Sequence, residues 1–258
     1  MATDRTGGDS RSAPLGRVGF ETGSDEYERG RPGYPAEAVR HLVAAATLRA
    51  GSRVLDLAAG TGKLTRQLAR EGLACVAVEP SPSMRAVFTR AVAGVPVIGG
   101  TAEAIPVRSH SMDAVVVGQA FHWFDPTTAL AEMARVLRPG GTVGLIWNHR
   151  DEADPVVADL VRISRWDVEA PYQRDTDFGA IVQSTSPFGP VERTRFSFDQ
   201  WLDRDAFVEQ AASRSYVQVL AEPERRALLG DVAGFAATLS EPIRMPYLTD
   251  LYCAKAPG

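Results

Sequence analysis

A chain of 258 residues, 45% of them hydrophobic, can bury a substantial core as one large domain or as a domain with an inserted cap. Its formal net charge of −4 and its lack of any long basic block argue against binding driven by nucleic-acid phosphates. No apolar run approaches the ~20 residues that cross a bilayer, and Cys75 and Cys253 sit in apolar runs without metal-ligand spacing, so each reads as a buried, reduced thiol and no metal site is expected.

Residues 1–19 are polar, rich in Gly, Ser and Arg, and lack an apolar signal core. They read as a disordered tail and point to a cytoplasmic protein. Residues 20–35 (FETGSDEYERGRPGYP) follow neither a helical nor a strand period. Their Tyr27, Arg29, Arg31 and Tyr34 suit either a strap packed on the domain or a lid over a ligand, because aromatic rings and guanidinium both stack and donate hydrogen bonds.

Pro35 then opens a predicted helix to Leu48, with Val39, Leu42, Val43 and Ala46 on one apolar stripe and His41 off it, at the surface. Val54 to Leu57 is an apolar run broken only by Asp56, the pattern of a buried strand. Gly60 and Gly62 follow, and Lys63 to Arg70 has helical spacing. Ala74 to Glu79, Val95 to Ile98, Met112 to Val117 and Thr142 to Trp147 are four more short strands. Helices are predicted from Pro80-Ser81-Pro82 through Met84, Val87 and Phe88 and from Pro126 to Leu137. After Asn148 the pattern changes. Pro155 to Trp166 and Trp201 to Leu220 read as amphipathic helices, Val191 to Phe198 and Ile243 to Ala254 as strands.

Five strands alternating with helices predict a doubly wound α/β fold with right-handed crossovers. With the last two strands added, the expected architecture is a Rossmann-like, mostly parallel seven-stranded sheet with an antiparallel edge strand and a helical cap. Residues 20–150 would form the ligand-binding core with its N-terminal lid, and 151–258 would complete the sheet and supply the cap. Ligands of such sheets sit outside the carboxyl ends of the strands. That edge gathers Asp56, Gly60, Gly62, Glu79, Ala102, Glu103, Gln119 and His122.

Glu79 ends the second strand, where a carboxylate can accept both hydroxyls of an adenosine ribose. The turn Ala58-Ala59-Gly60-Thr61-Gly62-Lys63 supplies neither GxGxxG nor GxxxxGK[ST], so a good diphosphate cradle is missing. Asp56 within the motif suits an ammonium group instead. A nucleoside bearing an amino acid fits these signs better than a dinucleotide.

Val54 to Thr65, Val78 to Ser81, Thr101 to Pro106, Ser111 to Asp125 and Leu137 to Trp147 resemble, in order and spacing, the motif series of class I S-adenosylmethionine (SAM)-dependent methyltransferases. The run Gln119 to Asp125, with Tyr27 to Pro35 upstream, is similar to the small-molecule subgroup of trans-aconitate and ubiquinone-type methyltransferases. The resemblance implies SAM as cofactor. It implies that Asp56, Gly60 and Gly62 line its methionine end, that Glu79 binds the ribose and that Ala102 and Glu103 flank the adenine, with Ala58, Thr61, Pro80 and Met84 as further cofactor-binding positions. It places Gln119 under the sulfonium, with Tyr27 and Arg31 closing over it. Ala58 stands where the family usually has glycine.

His122 is the candidate catalytic base, since an imidazole can titrate near neutrality; the competing reading is a histidine that fixes the Phe121 to Phe124 turn. Trp123, Trp166, Arg214 and Tyr216 are the candidate substrate residues, with Tyr172, Trp201 and Tyr247 as further cap positions. Arg214 could hold a carboxylate, although a surface salt bridge is the plainer reading. The expected partner is a small-molecule acceptor, with no nucleic acid or membrane, on a monomer or homodimer. Competing readings are a methyltransferase-fold protein that uses SAM without consuming it and a nicotinamide-dependent oxidoreductase.

Overall fold

The computed structural model describes residues 28–165, 176–185 and 187–258. The predicted tail, Tyr27, Trp166 and Tyr172 lie outside them. β1 (Arg53–Leu57) is buried at every residue after its first, as befits a central strand covered by helices on both sides. Alternate residues part to opposite faces. Val54 joins Ala38, Val39 and Leu42 of α1 (Ala36–Ala45) and Leu64 and Leu68 of α2 (Lys63–Arg70). Leu55 and Leu57 join the opposite core, where Leu130, Met133 and Phe178 pack.

The other strands are β2 (Ala74–Val78), β3 (Val97–Ile98), β4 (Met112–Gly118), β5 (Leu137–Arg150), β6 (Glu192–Leu202) and β7 (Ile243–Lys255). Their order across the sheet is β3-β2-β1-β4-β5-β7-β6. The strands from β1 to β5 are parallel, and β7 runs antiparallel to both of its neighbours, leaving β6 at the edge. Strand order reverses between β1 and β4, and that reversal opens the ligand crevice. Crossovers are made by α2, α3 (Pro82–Ala91) and α4 (Pro126–Val136), and the last two helices begin with a proline after a side-chain cap, Ser81 and Asp125.

The C-terminal part differs in detail from the expected pattern. β5 outruns the predicted end at Trp147 because Asn148, His149 and Arg150 pair with Thr249, Leu248 and Tyr247 of β7. β6 likewise continues to Leu202 through Trp201, which pairs with Arg244. Trp201 therefore belongs to the edge strand rather than to a cap helix and is 59% exposed, which removes it from the substrate positions. α5 (Pro155–Ile163), α7 (Arg204–Ala212) and α8 (Glu222–Ala237) form the cap, while α6 (Phe178–Thr185) lies on the main sheet. The cap closes over its own core of Val157, Leu160, Phe207, Val232, Met245 and Tyr247. Fully burying a side chain such as Phe207 contributes roughly 1.5–3 kcal/mol. Both cysteines are buried and free. Among the described residues no helix is long and apolar enough to cross a membrane.

Candidate active site

The turn after β1 is built from left-handed backbone. Ala58, Gly60 and Gly62 have φ of 55°, 57° and 85°. Gly62 is the N-cap of α2, and a Cβ there would stand 2.4 Å from Val92 Cγ2 and 2.7 Å from Phe88 Cδ2. A Cβ on Gly60 would meet nothing within 4 Å, because that side of the turn faces the crevice. Ala58 adopts its left-handed conformation with a side chain, at a cost of about 1–2 kcal/mol. Ala58→Gly should therefore raise stability by up to about 1 kcal/mol, part of the relief being lost to unfolded-state entropy; an unchanged denaturant midpoint would refute the strain.

Glu79 braces this turn. Its carboxylate accepts from the Gly60 amide at 2.9 Å and from the Ser81 amide at 2.8 Å. Burial holds its pKa above the usual carboxylate range against those two bonds. Asp56 shares the face of Val54 and so meets α2, where Thr65 Oγ1 donates to it. Burial, reinforced by Glu79, pushes Asp56 up to about 7.

The opposite wall begins at Gly118. Gln119 also has a left-handed φ, 60°, and its amide is bound reciprocally to the backbone of Asn148, both bonds 3.1 Å. His122 is packed between Trp123 and Trp147, with ring centroids 4.2 and 5.0 Å away. Burial lowers its pKa to about 3, with Arg31 adding to the effect. The imidazole is thus neutral and weakly basic, so the near-neutral titration expected of a general base does not hold in this setting.

A lid and the cap meet over these walls. Glu28 accepts from Thr61, Lys63 and Arg66, so the segment before Arg31 is tied to the glycine turn and to α2. Tyr34 exchanges two backbone bonds with the Gln67 amide, at 3.0 and 2.6 Å, and its hydroxyl lies where a Cβ on Gly118 would be. Arg31 reaches the Ser213 carbonyl at 3.5 Å, joining lid to cap.

The resulting crevice encloses about 1020 Å³, its open mouth included. It brings together the predicted Arg31, Asp56, Ala58, Gly60, Thr61, Gln119, His122, Trp123, Arg214 and Tyr247. Gly62 stands behind the turn, and Glu79, Pro80, Met84, Ala102 and Glu103 do not line it. Met84 and Ala102 are buried, Glu103 accepts from the Asp125 amide at 3.0 Å, and the Pro80 carbonyl accepts from Arg85 at 2.8 Å. Tyr216 donates to the Ser164 carbonyl at 2.9 Å, also off the crevice wall. Arg214 is only 7% exposed and lines the crevice, so it does not lie at the surface. Sequence reasoning missed Lys63, Trp147, Asn148 and Arg150 as lining residues. Trp147 through Arg150 carried a signal only in hindsight of strand length, since their polar end breaks the apolar run.

A doubly wound sheet with its crevice at the β1/β4 reversal defines a class of α/β proteins that bind nucleotide-like ligands. Comparison with known proteins narrows this. Residues 55–145 match the family described as methyltransferase domain. An uncharacterized methyltransferase of Mycobacterium bovis is 41% identical over 244 residues, 93% of this chain and 95% of that protein. An uncharacterized methyltransferase-like protein of Schizosaccharomyces pombe is 30% identical, over 89% of this chain and 92% of its own. The structure of a candidate type II methyltransferase from Anaeromyxobacter dehalogenans superposes with a TM-score of 0.66 at 22% identity, covering 88% of this chain and 97% of that one. The chain belongs to the class I SAM-dependent methyltransferases.

Proposed function

We propose that this protein transfers a methyl group from SAM to a small organic acceptor held between the sheet edge and the cap. The observation that carries the reading is one continuous crevice lined both by the glycine turn, Asp56 to Thr61, and by the cap residues Arg214 and Tyr247. The residues fit the cofactor: Gly60 leaves open space where a Cβ would stand, and a buried carboxylate, Asp56, lies on the wall beside it. Asp56 would hold the ammonium and Arg31 the carboxylate, and Glu79, which lies behind Gly60 rather than on the crevice wall, would hold the turn that receives the ribose. When bound, SAM supplies an electrophilic methyl on a sulfonium.

The chain's own contribution is placement and exclusion of water. Trp123 and Trp147 present apolar faces that favour a nearby cation and keep solvent out. Holding an acceptor in line can supply up to about 7–11 kcal/mol of the barrier reduction. His122, neutral and packed between the two tryptophans, orients that wall rather than taking a proton.

The test is calorimetric titration with S-adenosylhomocysteine (SAH), followed by assay of SAH release from SAM with candidate acceptors. Glu79→Gln keeps the shape and removes the charge. It should weaken SAH binding by about 1–3 kcal/mol, the worth of a charged hydrogen-bond pair. Tight binding of NAD with none of SAH would overturn the reading.

A further inference from the structure

We infer that the outer edge of β6 receives a second copy of this chain, the two β6 strands pairing antiparallel about Ser197 so that one sheet runs through a twofold dimer. The inference is independent of the methyl transfer proposed above. β6 has 11 residues and pairs with β7 along its whole length, Glu192 to Leu202, without a register shift. Among the described residues no strand covers its other side. Such an edge offers a row of backbone donors and acceptors to any extended chain, and proteins usually blunt it by shortness, proline or a bulge. The far edge of this sheet is blunted in that way, since β3 has only 2 residues. β6 contains no proline, no glycine and no bulge.

The side chains of this strand complement themselves. Alternate residues Arg193, Arg195, Ser197, Asp199 and Trp201 are exposed and share one face. Trp201 is the most exposed large apolar side chain among the described residues, and it has no part in the crevice. Arg195 precedes Ser197 by the same spacing at which Asp199 follows it, and Arg193 and Trp201 flank it equally one step further out. An antiparallel pair centred on Ser197 therefore sets Arg195 opposite the partner's Asp199, and Arg193 opposite the partner's Trp201. Opposed Cβ atoms in such a pair lie about 4.5–5.5 Å apart. Each contact forms twice, one as an ion pair and the other as a cation on an aromatic ring. On the reverse face Phe196 meets the partner's Phe198.

Bonds within the chain leave these groups able to take a further partner. Arg193 and Arg195 share Asp250 while about half of each side chain stays open, and Asp199 shares Arg244 with Asp154. Other alignments fare worse. Parallel pairing in register sets each arginine against its own copy, and antiparallel pairing centred on Arg195 or on Asp199 opposes like charges. A twofold axis also uses up the edge, so the assembly closes at two copies. Main-chain hydrogen bonds supply the attraction, and the side-chain pattern supplies the register.

The test is sedimentation equilibrium of the full chain, whose single copy weighs 27.8 kDa, together with cysteine cross-linking. The wild type should be a dimer. Trp201→Lys, which sets a lysine opposite the partner's Arg193, should raise its dissociation constant by about tenfold or more. Oxidised Ser197→Cys should become a covalent dimer, because residues on the axis have Cα atoms about 4.5–5.5 Å apart, within reach of a disulfide. Glu192→Cys, remote from its own copy in this register, should not; Cys75 and Cys253 are buried and stay out of the reaction. A wild type that remains monomeric to its solubility limit overturns the inference and leaves the edge to another occupant. A dimer without the Ser197 cross-link overturns it by placing the contact elsewhere, as does an open series of larger species. Unchanged association in Trp201→Lys overturns it likewise; where that variant does not fold, the Ser197 cross-link alone decides.

Discussion

Gly62→Ala should cost the fold about 2–5 kcal/mol, a large share of the ~5–15 kcal/mol that domains typically hold in reserve. Two separate terms add. The φ of 85° forces a Cβ into left-handed backbone, at about 1–2 kcal/mol. The same Cβ would press on Val92 and Phe88, at 2.4 and 2.7 Å, and those side chains are buried against Ala77 with little space to yield. Overpacking of this kind adds about 1–3 kcal/mol. For a chain of this size the sum should lower Tm by roughly 4–20 °C. Gly60→Ala is the control, since its φ is also left-handed but its Cβ would meet no atom. It should lose only the backbone term while filling space on the crevice side, so its effect should appear in SAH affinity more than in Tm. Equal stability losses in the two variants would show that the contact with Phe88 and Val92 does not matter.

The parts of the molecule that could be read in the sequence are those whose signal is local. β1, β2 and β4 are short apolar runs because helices cover both faces of the sheet, and the turn after β1 announces itself by Gly60 and Gly62. The Ser81 and Asp125 caps with proline after them likewise mark where helices begin. The parts that could not be read depend on distant pairings. Asn148, His149 and Arg150 look like a polar loop, yet β7 holds them in the strand and so carries Arg150 into the crevice. Trp201 looks like a cap anchor, but pairing with Arg244 keeps it on an exposed edge. Arg214 reads as a surface residue among small polar neighbours. It is buried beside a bond between lid and cap, Arg31 to Ser213 across 182 positions, that no local pattern marks. The setting of His122 is hidden from the sequence for a related reason. Its partner Trp147 lies on another strand, so the burial that suppresses its titration has no local mark.

Stability of the ligand-free protein should fall as pH rises from about 4 to about 7, and Asp56→Asn should weaken that dependence, leaving the part that Glu79 contributes. Burial in the folded state lifts the Asp56 pKa from 3.8 to about 7. Between those values the native state binds a proton that the unfolded chain does not, so the slope of unfolding free energy with pH is negative. The stabilisation is fully present below about 4 and lost once pH passes about 7. Three units correspond to roughly 4 kcal/mol at most, spread in practice over the coupled pair with Glu79, which is raised as well. The asparagine should accept from Thr65 as the carboxylate does, so the variant should be the more stable protein at pH 8. The same charge is what an ammonium requires. SAH affinity should accordingly weaken below about pH 7, approaching tenfold per pH unit as Asp56 becomes protonated before binding. In Asp56→Asn, affinity should be low and nearly independent of pH. Chemical denaturation and calorimetry across this range check both halves. A variant that gains stability at pH 8 while losing cofactor would show that this acid is kept for the ligand against the interest of the fold. A wild-type protein whose stability and SAH affinity are both flat from about pH 5 to about pH 8 would remove Asp56 from the proposed site.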